Sequence, residues 1–369
     1  MRIVITGGDG FIGRNLRVRL REWSGDTIDV VGRSTTMAEL DGVLARADVV
    51  VHLAGANRPS DPTEYDTVNR GFTATVCDRL RRAGRLVPIA FASSTQAALD
   101  NSYGASKRAG EAVVEEYGRQ SGASVYCLRL LNVFGKWCRP NYNSAVATFC
   151  HNIARDLPIA VRDEAAALRL VYIDDVVDTL IRLVEERPPS QSVSVQPEYV
   201  TTVGAVVAML RGFADSRQTT YLAGTGSGLT RALYATYLSY LPPQSFQYSL
   251  TRHMDARGVF TEMLKTPDCG QISVVTARPG VVRGGHYHHT KAEKFLVVHG
   301  RARFAFRHLV TGETHEILVS GGDWRVVETV PGWVHDVTNV GDDELIVLLW
   351  ASEAFDPEHP DTVRAAVVA

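Results

Sequence analysis

A tyrosine and a lysine four residues apart, with two serines shortly before them, could carry out acid–base chemistry on a carbonyl group. Tyr103 and Lys107 stand in YGASK, and Ser93 and Ser94 end the run FASS. Side chains four apart share one face of a helix, so the ammonium could lower the pKa of the phenol and bind a nicotinamide ribose. The phenol would then exchange a proton with a carbonyl oxygen that a serine hydroxyl holds.

A glycine-rich turn near the start of the chain could hold the diphosphate of a dinucleotide. Gly7, Gly10 and Gly13 in ITGGDGFIG lie between a strand-like run and the helix-like NLRVRLREW. Glycines allow a tight turn there, close approach of backbone N–H groups to a pyrophosphate, and close packing of the helix on the sheet. We predict cofactor contacts from eleven residues: Gly7, Gly10, Phe11, Ile12, Gly13, Arg33, Ser34, Leu53, Ala54, Gly55 and Lys107.

The end of the second predicted strand indicates which dinucleotide binds. In VVGRS the acidic residue that would hold an adenosine ribose 2′-hydroxyl is missing, and Arg33 and Ser34 stand there instead. A guanidinium and a hydroxyl suit a 2′-phosphate, so NADP(H) is favoured over NAD. The alternative interpretation is an arginine that merely ends a strand.

Histidines concentrate in RGGHYHHTKAEKFLVVHG, far from the glycine-rich turn. His286 and His288 lie on one face of a strand, and Glu293 could join them from the next strand, with His335 of PGWVHDVTN as a fourth ligand. Imidazoles and a carboxylate suit a divalent metal of the zinc, iron or manganese type, and we predict zinc. Tyr287 and His289 point the other way. The alternative is a solvated surface patch of histidines.

The arrangement of predicted elements assigns these two groups of residues to different folds. Up to about residue 188, short β-branched runs such as RIVITGG, TIDVVGR, DVVVHLAG and VPIAFASS alternate with amphipathic segments. This pattern predicts an α/β fold with a Rossmann-type, doubly wound parallel sheet. The later part is rich in short strands and Gly/Pro turns and predicts an all-β barrel or jelly roll. We place the domains at residues 1–245 and 246–369.

Length, charge and hydropathy exclude several classes of protein. The 369 residues suit two domains, and the formal net charge of −2 gives no reason to expect binding to nucleic acid or to an anionic membrane. No apolar segment approaches the ~20 residues of a membrane span, and MRIVITGGDG has no features of a signal peptide. The expected location is the cytoplasm.

Residues 1 to about 245 resemble an extended short-chain dehydrogenase/reductase that acts on a nucleotide sugar. The resemblance rests on the glycine-rich turn, YGASK, HLAGANRP, Asn69 and RLLNVFGKWCRPNYNSAV. It implies that Tyr103 is the catalytic acid/base, that Lys107 is its partner, and that Ser94 binds the carbonyl, with Ser93 as the alternative. It also implies four contacts to the diphosphate or uridine, from Asn132, Lys136, Arg139 and Asn143. A structural asparagine or a solvated lysine is the alternative interpretation of these four.

The histidine-rich part resembles the cupin family, whose first motif it matches in full spacing. The second motif departs from many cupins because Pro331 and Gly332 are adjacent, which weakens the assignment of His335 as a ligand. The whole order, with DNSYGASK followed by RGVFTEMLKTPDCGQ and RGGHYHHTKAEKFLVVHG, resembles bifunctional capsular polysaccharide enzymes of the UDP-N-acetyl-L-fucosamine pathway.

That resemblance implies a substrate, two reactions and a quaternary structure. The cupin domain would epimerise C3 of a UDP-2-acetamido-2,6-dideoxy-4-hexulose, and the reductase domain would reduce C4 with NADPH to UDP-2-acetamido-2,6-dideoxy-L-talose. Members of the family form homodimers. Two alternatives stay open: a reductase whose cupin domain is structural or dimerising, and a sugar-nucleotide sensor without catalysis. The sequence does not identify the cupin acid and base, for which Tyr287, His289 and Lys294 are merely neighbours.

Overall fold

The computed structural model describes residues 1–23, 25–251, 253–255, 258–260, 263–264, 266, 270–353 and 358–368. The predicted motif RGVFTEMLKTPDCGQ therefore lies partly outside the described residues, at positions 257, 261, 262, 265 and 267–269. Among the helices that the structure describes, none combines the length and the apolar character needed to cross a membrane.

Strands and helices alternate through the first two thirds of the chain. In chain order the elements are β1 (Arg2–Thr6), α1 (Phe11–Trp23), β2 (Thr27–Val31), α2 (Met37–Leu44), β3 (Val49–His52), a π-helical segment (Tyr65–Phe72), α3 (Thr73–Arg82), β4 (Ile89–Ser94), a 3-10 turn (Thr95–Ala98), α4 (Ser102–Ser121), β5 (Val125–Leu130), β6 (Asn132–Phe134), α5 (Ala145–Ile153), β7 (Ala167–Tyr172), α6 (Ile173–Glu186), β8 (Gln191–Val193), β9 (Tyr199–Thr202), α7 (Val203–Thr219) and α8 (Gly228–Leu238).

The rest of the described chain is almost entirely strand. A 3-10 turn (Pro243–Ser245) precedes β10 (Gln247–Ser249), β11 (His253–Asp255), β12 (Gly258–Phe260), β13 (Gln271–Ala277), β14 (Val282–Tyr287), β15 (Glu293–His299), β16 (Arg301–His308), β17 (Thr314–Ser320), β18 (Arg325–Glu328), β19 (Trp333–Asn339), β20 (Leu345–Ala351) and β21 (Val363–Arg364).

A parallel sheet with the strand order β2-β1-β3-β4-β5-β8 forms the centre of the first part. Every residue of β3 and β4 is buried, as expected when helices cover a parallel sheet on both faces. On one face, Leu40 of α2, Leu80 of α3 and Val114 of α4 join one apolar cluster with the strand residues Val4 and Val50. The predicted Rossmann-type sheet is confirmed.

Two antiparallel five-stranded sheets form the barrel, with the orders β10-β18-β15-β20-β13 and β17-β16-β19-β14-β21. Aromatic side chains fill the space between them. The rings of Phe295 and Phe304 come from different sheets and meet edge to face at 5.5 Å, and Phe246 meets Phe306 at 5.5 Å and Trp333 at 5.1 Å. Alternating strand residues supply this core, and the predicted all-β fold is confirmed.

The contacts among residues divide the chain into two compact units. The first comprises Met1–Ser144 and Leu168–Val200, and the second comprises Ala145–Ala167 and Thr201–Ala369. Helices α5, α7 and α8 therefore belong to the unit that contains the barrel. One contact that joins α7 to the barrel within this unit is an ion pair of 2.7 Å between Arg217 of α7 and Glu328 of β18. The predicted domain boundary at residues 245 and 246 stays a prediction.

Candidate active site and metal centre

The predicted carbonyl site forms where β4 ends and α4 begins. Asn101 caps α4 by accepting a hydrogen bond of 2.7 Å from the Gly104 N–H, which fixes the first helical turn and with it Tyr103. The Ser94 hydroxyl lies near the Tyr103 phenol and acts to lower its pKa. Ser93, the alternative, lies beside the Glu111 carboxylate. The structure thus brings together Tyr103 and Ser94, the pair that a carbonyl oxygen would need.

Lys107 is buried one helical turn after Tyr103. Its Nζ donates a hydrogen bond of 2.9 Å to the Ala92 carbonyl and lies 6.0 Å from the centre of the Tyr103 ring. Burial lowers the pKa of Lys107 to about 8, although the Glu111 carboxylate acts to raise it. The expectation that Lys107 lowers the phenol pKa is not met. Burial raises the pKa of Tyr103, and the opposing effect comes from the Ser94 hydroxyl.

Glu111 is a functional candidate that the sequence analysis missed. It follows Lys107 by one turn of α4 and is 5% exposed. Arg129 of β5 binds both of its carboxylate oxygens, with N–O distances of 2.9 and 2.7 Å. These bonds, together with the Lys107 ammonium, outweigh burial and lower the pKa of Glu111. An ionised carboxylate therefore stays beside Lys107 and favours its charged form.

The two predicted cofactor segments meet at the glycine-rich turn. Gly7 has a φ of +68°, and a Cβ on it would lie 2.7 Å from the backbone nitrogen of Ala54. A Cβ on Gly13 would lie 2.5 Å from the Cα of Gly8, so α1 can start close to the strand only with glycine there. Phe11 and Ile12 form the first turn of α1. The Gly7 and Gly10 N–H groups donate to the Val31 and Gly7 carbonyls, so the predicted diphosphate contact would fall to the N–H groups of the first turn of α1.

The residues that follow β3 connect this turn to Lys107, the predicted partner of Tyr103. Leu53 N–H donates to the Thr6 carbonyl at 3.1 Å, and Ala54 N–H donates to the Thr6 hydroxyl at 3.2 Å. A Cβ on Gly55 would lie 3.1 Å from Lys107 Nζ. Arg33 and Ser34, predicted to select NADP(H), are exposed just after β2. These contacts bring Leu53 and Ala54 to the glycine-rich turn and Gly55 to Lys107, and the cofactor assignments stay predictions.

A buried histidine connects the same elements and was not singled out from the sequence. His52 lies between two hydroxyls, with Nδ1 2.7 Å from Thr6 Oγ1 and Nε2 2.9 Å from Thr73 Oγ1. Burial lowers its pKa to about 3, so it is neutral at pH 7. Asn69 extends the network by binding the backbone of Ala56 at 2.7 and 3.0 Å. This network fixes the loop after β3.

The four predicted diphosphate and uridine contacts have different surroundings. Lys136 is 1% exposed and its Nζ binds Asp174 at 2.6 Å, an arrangement that does not support a direct contact with substrate. Asn132 donates to the Arg169 carbonyl at 3.1 Å. Arg139 and Asn143 are exposed, and Arg139 lies over the Tyr142 ring at 5.2 Å. All four assignments stay predictions.

In the barrel, the four predicted metal ligands come together. One ligand atom from each of His286, His288, Glu293 and His335 lies within 4.8 Å of the others. Gly284 and Gly285 have φ of +93° and +70° and form a bulge that pairs His286 with His335 across β14 and β19. Glu293 Oε2 lies 3.2 Å from His288 Nε2 and 3.3 Å from His335 Nε2. Zinc ligands at ~2.0–2.1 Å from a tetrahedral ion are separated by about this distance.

The protonation of these side chains also suits a cation. The His288 Nδ1 contacts the Asp361 backbone carbonyl; because a carbonyl only accepts, Nδ1 carries a proton. A neutral His288 then turns an Nε2 lone pair toward Glu293. Although burial opposes it, the neighbouring imidazoles of His288 and His335 hold the pKa of Glu293 well below its usual range. Burial lowers the pKa of His286 to about 4. Two acceptors that face each other at 3.2 Å are stabilised when they bind one cation.

The three neighbours considered as cupin acid or base lie elsewhere. Lys294 faces away from the ligand cluster, where its Nζ binds Tyr248 Oη at 2.6 Å and also contacts Glu328. Tyr287 and His289 meet edge to face, with ring centres 5.5 Å apart, and neither joins the four-residue cluster. The acid and base of the barrel are thus not assigned to any of the three.

Comparison with known proteins adds two families and several relatives. Residues 3–195 match the NAD dependent epimerase/dehydratase family, and residues 253–363 match the polysaccharide biosynthesis C-terminal domain. A Pseudomonas aeruginosa protein, UDP-2-acetamido-2,6-beta-L-arabino-hexul-4-ose reductase, is 50% identical over 100% of this chain and 99% of its own length.

Two solved structures are similar in fold to the whole or to part of this chain. The capsular polysaccharide assembling protein CapF from Staphylococcus aureus is 41% identical, with a TM-score of 0.67 over 100% of both chains. The UDP-glucuronic acid 4-epimerase from Bacillus cereus, in complex with NAD, is 18% identical, with a TM-score of 0.55 over 65% of this chain and 96% of that one. The latter likeness concerns the fold alone.

Proposed function

Since the chain belongs to the bifunctional capsular polysaccharide enzymes that join an NAD dependent epimerase/dehydratase domain to a polysaccharide biosynthesis C-terminal domain, we propose that it converts a UDP-2-acetamido-2,6-dideoxy-4-hexulose to UDP-2-acetamido-2,6-dideoxy-L-talose. The barrel epimerises C3, and the N-terminal domain reduces the C4 ketone with NADPH. The observation that carries this proposal is the pairing of Tyr103 with Ser94 beside Lys107 in a chain that also holds a His/Glu cluster.

In the reduction, the chain supplies orientation and a proton. The Ser94 and Tyr103 hydroxyls bind the C4 carbonyl oxygen, and Tyr103 donates its proton to that oxygen as negative charge develops there. The raised pKa of Tyr103 keeps the phenol protonated, as a proton donor must be. Lys107 stabilises the phenolate that remains, and Glu111 keeps the Lys107 ammonium charged. NADPH, when bound, supplies the hydride.

Selection of NADPH is assigned to the exposed end of β2. Arg33 and Ser34 are exposed just after β2, and we assign the 2′-phosphate to them because a guanidinium binds phosphate oxygens with two parallel hydrogen bonds. The N–H groups of the first turn of α1, which the glycines at positions 7, 10 and 13 bring close to the sheet, hold the diphosphate. We extend the proposal to a homodimer, the state of the enzymes that the chain resembles.

In the epimerisation, a proton leaves C3 and returns to the opposite face of the sugar. The hydrogen on a carbon next to a ketone is acidic because the carbanion is delocalised onto the ketone oxygen. The ligands His286, His288, Glu293 and His335 would hold a divalent ion, for which we propose zinc. The ion would supply electrostatic stabilisation of the enolate oxygen.

A second function is supported by the number of ligands in the cluster. Four protein side chains could ligate one ion here, and structural zinc sites are closed by four protein ligands, whereas catalytic sites keep an open position. The chain would then be an NADPH-dependent reductase whose metal stabilises the barrel.

Deuterium incorporation distinguishes the two functions. The purified chain is incubated in D₂O with the 4-keto UDP-sugar, with and without NADPH, and C3 is followed by NMR. We expect exchange at C3 without NADPH, and a reduced, C3-deuterated product with it. Reduction without any exchange at C3 would leave the reductase and eliminate the epimerase.

A further inference from the structure

The segment from Asp361 to Val367, here called the C-terminal strap, runs along β14, which carries the predicted ligand His286 and ends one residue before His288. Its strand β21 pairs with β14, with Arg364 opposite His286 and Val363 opposite Tyr287. The Ala365 N–H donates to the Gly285 carbonyl at 3.0 Å. These contacts hold the strap against β14 along the whole of β21.

Asp361, at the start of the strap, binds the loop between β14 and β15. Its carboxylate accepts hydrogen bonds from three successive backbone N–H groups, those of His289, Thr290 and Lys291, at 2.8, 2.7 and 2.8 Å. The Thr290 hydroxyl adds a fourth at 2.9 Å. Next to it, Lys291 Nζ donates to Thr362 Oγ1 at 2.9 Å. One carboxylate thus fixes the backbone of every residue between His288 and Ala292.

The main chain of the same aspartate reaches a predicted ligand directly. The Asp361 carbonyl accepts the Nδ1 proton of His288, so the other nitrogen, Nε2, is turned toward Glu293 at 3.2 Å. A carbonyl that accepts from the second nitrogen of a metal-binding histidine sets its tautomer and its ring orientation. His288 is buried, so few other groups could take this role.

We propose that Asp361 is a positioning residue for the metal set of the barrel. The carboxylate holds the loop of residues 288–292, here called the ligand loop. The loop and the carboxylate together keep the Asp361 carbonyl in place for His288 Nδ1. His288 then presents Nε2 to the ion without rotating. The inference rests on the proposed function, because it takes the four-residue cluster to be a metal site.

Metal affinity in the full-length protein tests the proposal. Zinc affinity is measured by competition with a chromophoric chelator, and ligand geometry by the visible spectrum of the cobalt(II) form. Loss of an outer partner of a ligand lowers metal affinity about 10–100-fold, and we expect a fall of this size for Asp361→Ala. Asp361→Asn keeps one acceptor oxygen and should lose less.

Asp323→Ala is the matched control. Asp323 also accepts a backbone hydrogen bond in the barrel, from the Ser320 N–H at 2.8 Å, but it lies in the turn between β17 and β18. We expect this variant to keep the wild-type zinc affinity and cobalt spectrum. If Asp361→Ala does not fold, Asp361→Asn tests the proposal instead. A weakened zinc affinity in that variant supports the proposal, and an unchanged zinc affinity overturns it.

The outcomes separate this inference from the proposed function. Asp361 variants with wild-type zinc affinity and cobalt spectrum would overturn the inference alone. A lower melting temperature in such variants would indicate that Asp361 has a purely structural role. A wild-type chain that binds no zinc would overturn both proposals. A third measurement, ¹⁵N NMR of metal-free protein, should show the Nδ1–H tautomer of His288 in the wild type and a mixture in Asp361→Ala.

Discussion

Lys107 and Glu111 lie on successive turns of α4, and Arg129 holds the glutamate ionised at distances of 2.9 and 2.7 Å. The pair explains why a lysine that is almost completely buried retains a pKa as high as about 8. Without a carboxylate nearby, burial would move the pKa further down, because it disfavours the charged form. The protonation of Lys107, the proposed catalytic lysine, is thus set jointly by residues of α4 and β5.

Glu111→Gln should lower the pKa of Lys107 below about 8. The substitution removes the negative charge and leaves the Arg129 cation nearby, and both changes disfavour the ammonium. NMR titration of the lysine side chain in the cofactor-free protein measures the shift. Glu115→Gln, exposed on the same helix, is the control and should leave the titration unchanged. Equal pKa values in both variants would contradict the role given to Glu111.

Stability should rise with pH in the range that the Lys107 pKa defines. The folded pKa of about 8 lies below the ordinary value of 10.5, so between these values the unfolded chain binds more protons than the folded one. Unfolding then becomes less favourable as pH rises from 8 to 10.5. Lys107→Met should remove this part of the pH dependence, as measured by urea unfolding of the wild type and the variant at each pH.

Tyr103→Phe should abolish NADPH oxidation and preserve deuterium exchange at C3. The variant loses the proton donor, and general acid catalysis contributes about 10²–10⁴-fold. NADPH absorbance and NMR of the sugar report the two reactions. Tyr117→Phe, in the same helix but with its hydroxyl bound to the Val87 carbonyl, should keep both. Loss of both reactions in Tyr103→Phe would contradict separate active sites.

Metal removal and His288→Ala should stop C3 exchange without unfolding the N-terminal domain. Both changes dismantle the proposed ligand cluster, whereas the residues predicted to bind NADPH belong to the other compact unit. Exchange is followed by NMR, and the N-terminal domain by NADPH binding. Readdition of zinc should restore exchange to the chelated wild type and not to the variant. Unchanged exchange in metal-depleted protein would favour the structural role of the metal.

Gly284→Ala should destabilise the barrel more than Gly280→Ala. Both residues have positive φ, +93° and +74°, which costs an L-residue about 1–2 kcal/mol. A Cβ on Gly284 would also lie 3.1 Å from the His335 carbonyl, while nothing lies within 4 Å of one on Gly280. Zinc affinity should fall in Gly284→Ala alone, because the bulge that pairs His286 with His335 would shift. Equal effects would show that the close approach is unimportant.

Glu328→Gln should lower the free energy of unfolding of the barrel unit by about 3–5 kcal/mol, since it leaves Lys294 and Arg217 buried without a carboxylate. Denaturant unfolding followed by tryptophan fluorescence measures the change. Glu316→Gln, which removes the exposed partner of Arg303, should change it by less than about 1 kcal/mol. Similar small effects in both variants would rule out a stabilising role for the buried network.

Features encoded by local spacing were predictable from the sequence. The four-residue interval of Tyr103 and Lys107, the glycines at the first turn and the two-residue interval of His286 and His288 all reflect the repeat of a helix, turn or strand. The residues missed are partners brought together by tertiary structure. Glu111 meets Arg129 across elements, Lys136 meets Asp174, and Asp361 reaches His288 from a distant part of the chain. No sequence period relates such pairs.

The C-terminal strap has a consequence for the biosynthesis of the protein itself. Because the Asp361 carbonyl and carboxylate complete the surroundings of His288, the ribosome must release this late segment before the ligand loop can take its final form. A nascent chain in which His286, His288 and Glu293 have already been synthesised still lacks the strap. The proposed ion can therefore be bound in its final geometry only after this segment is translated, and truncated chains that end before Asp361 lack a completed site.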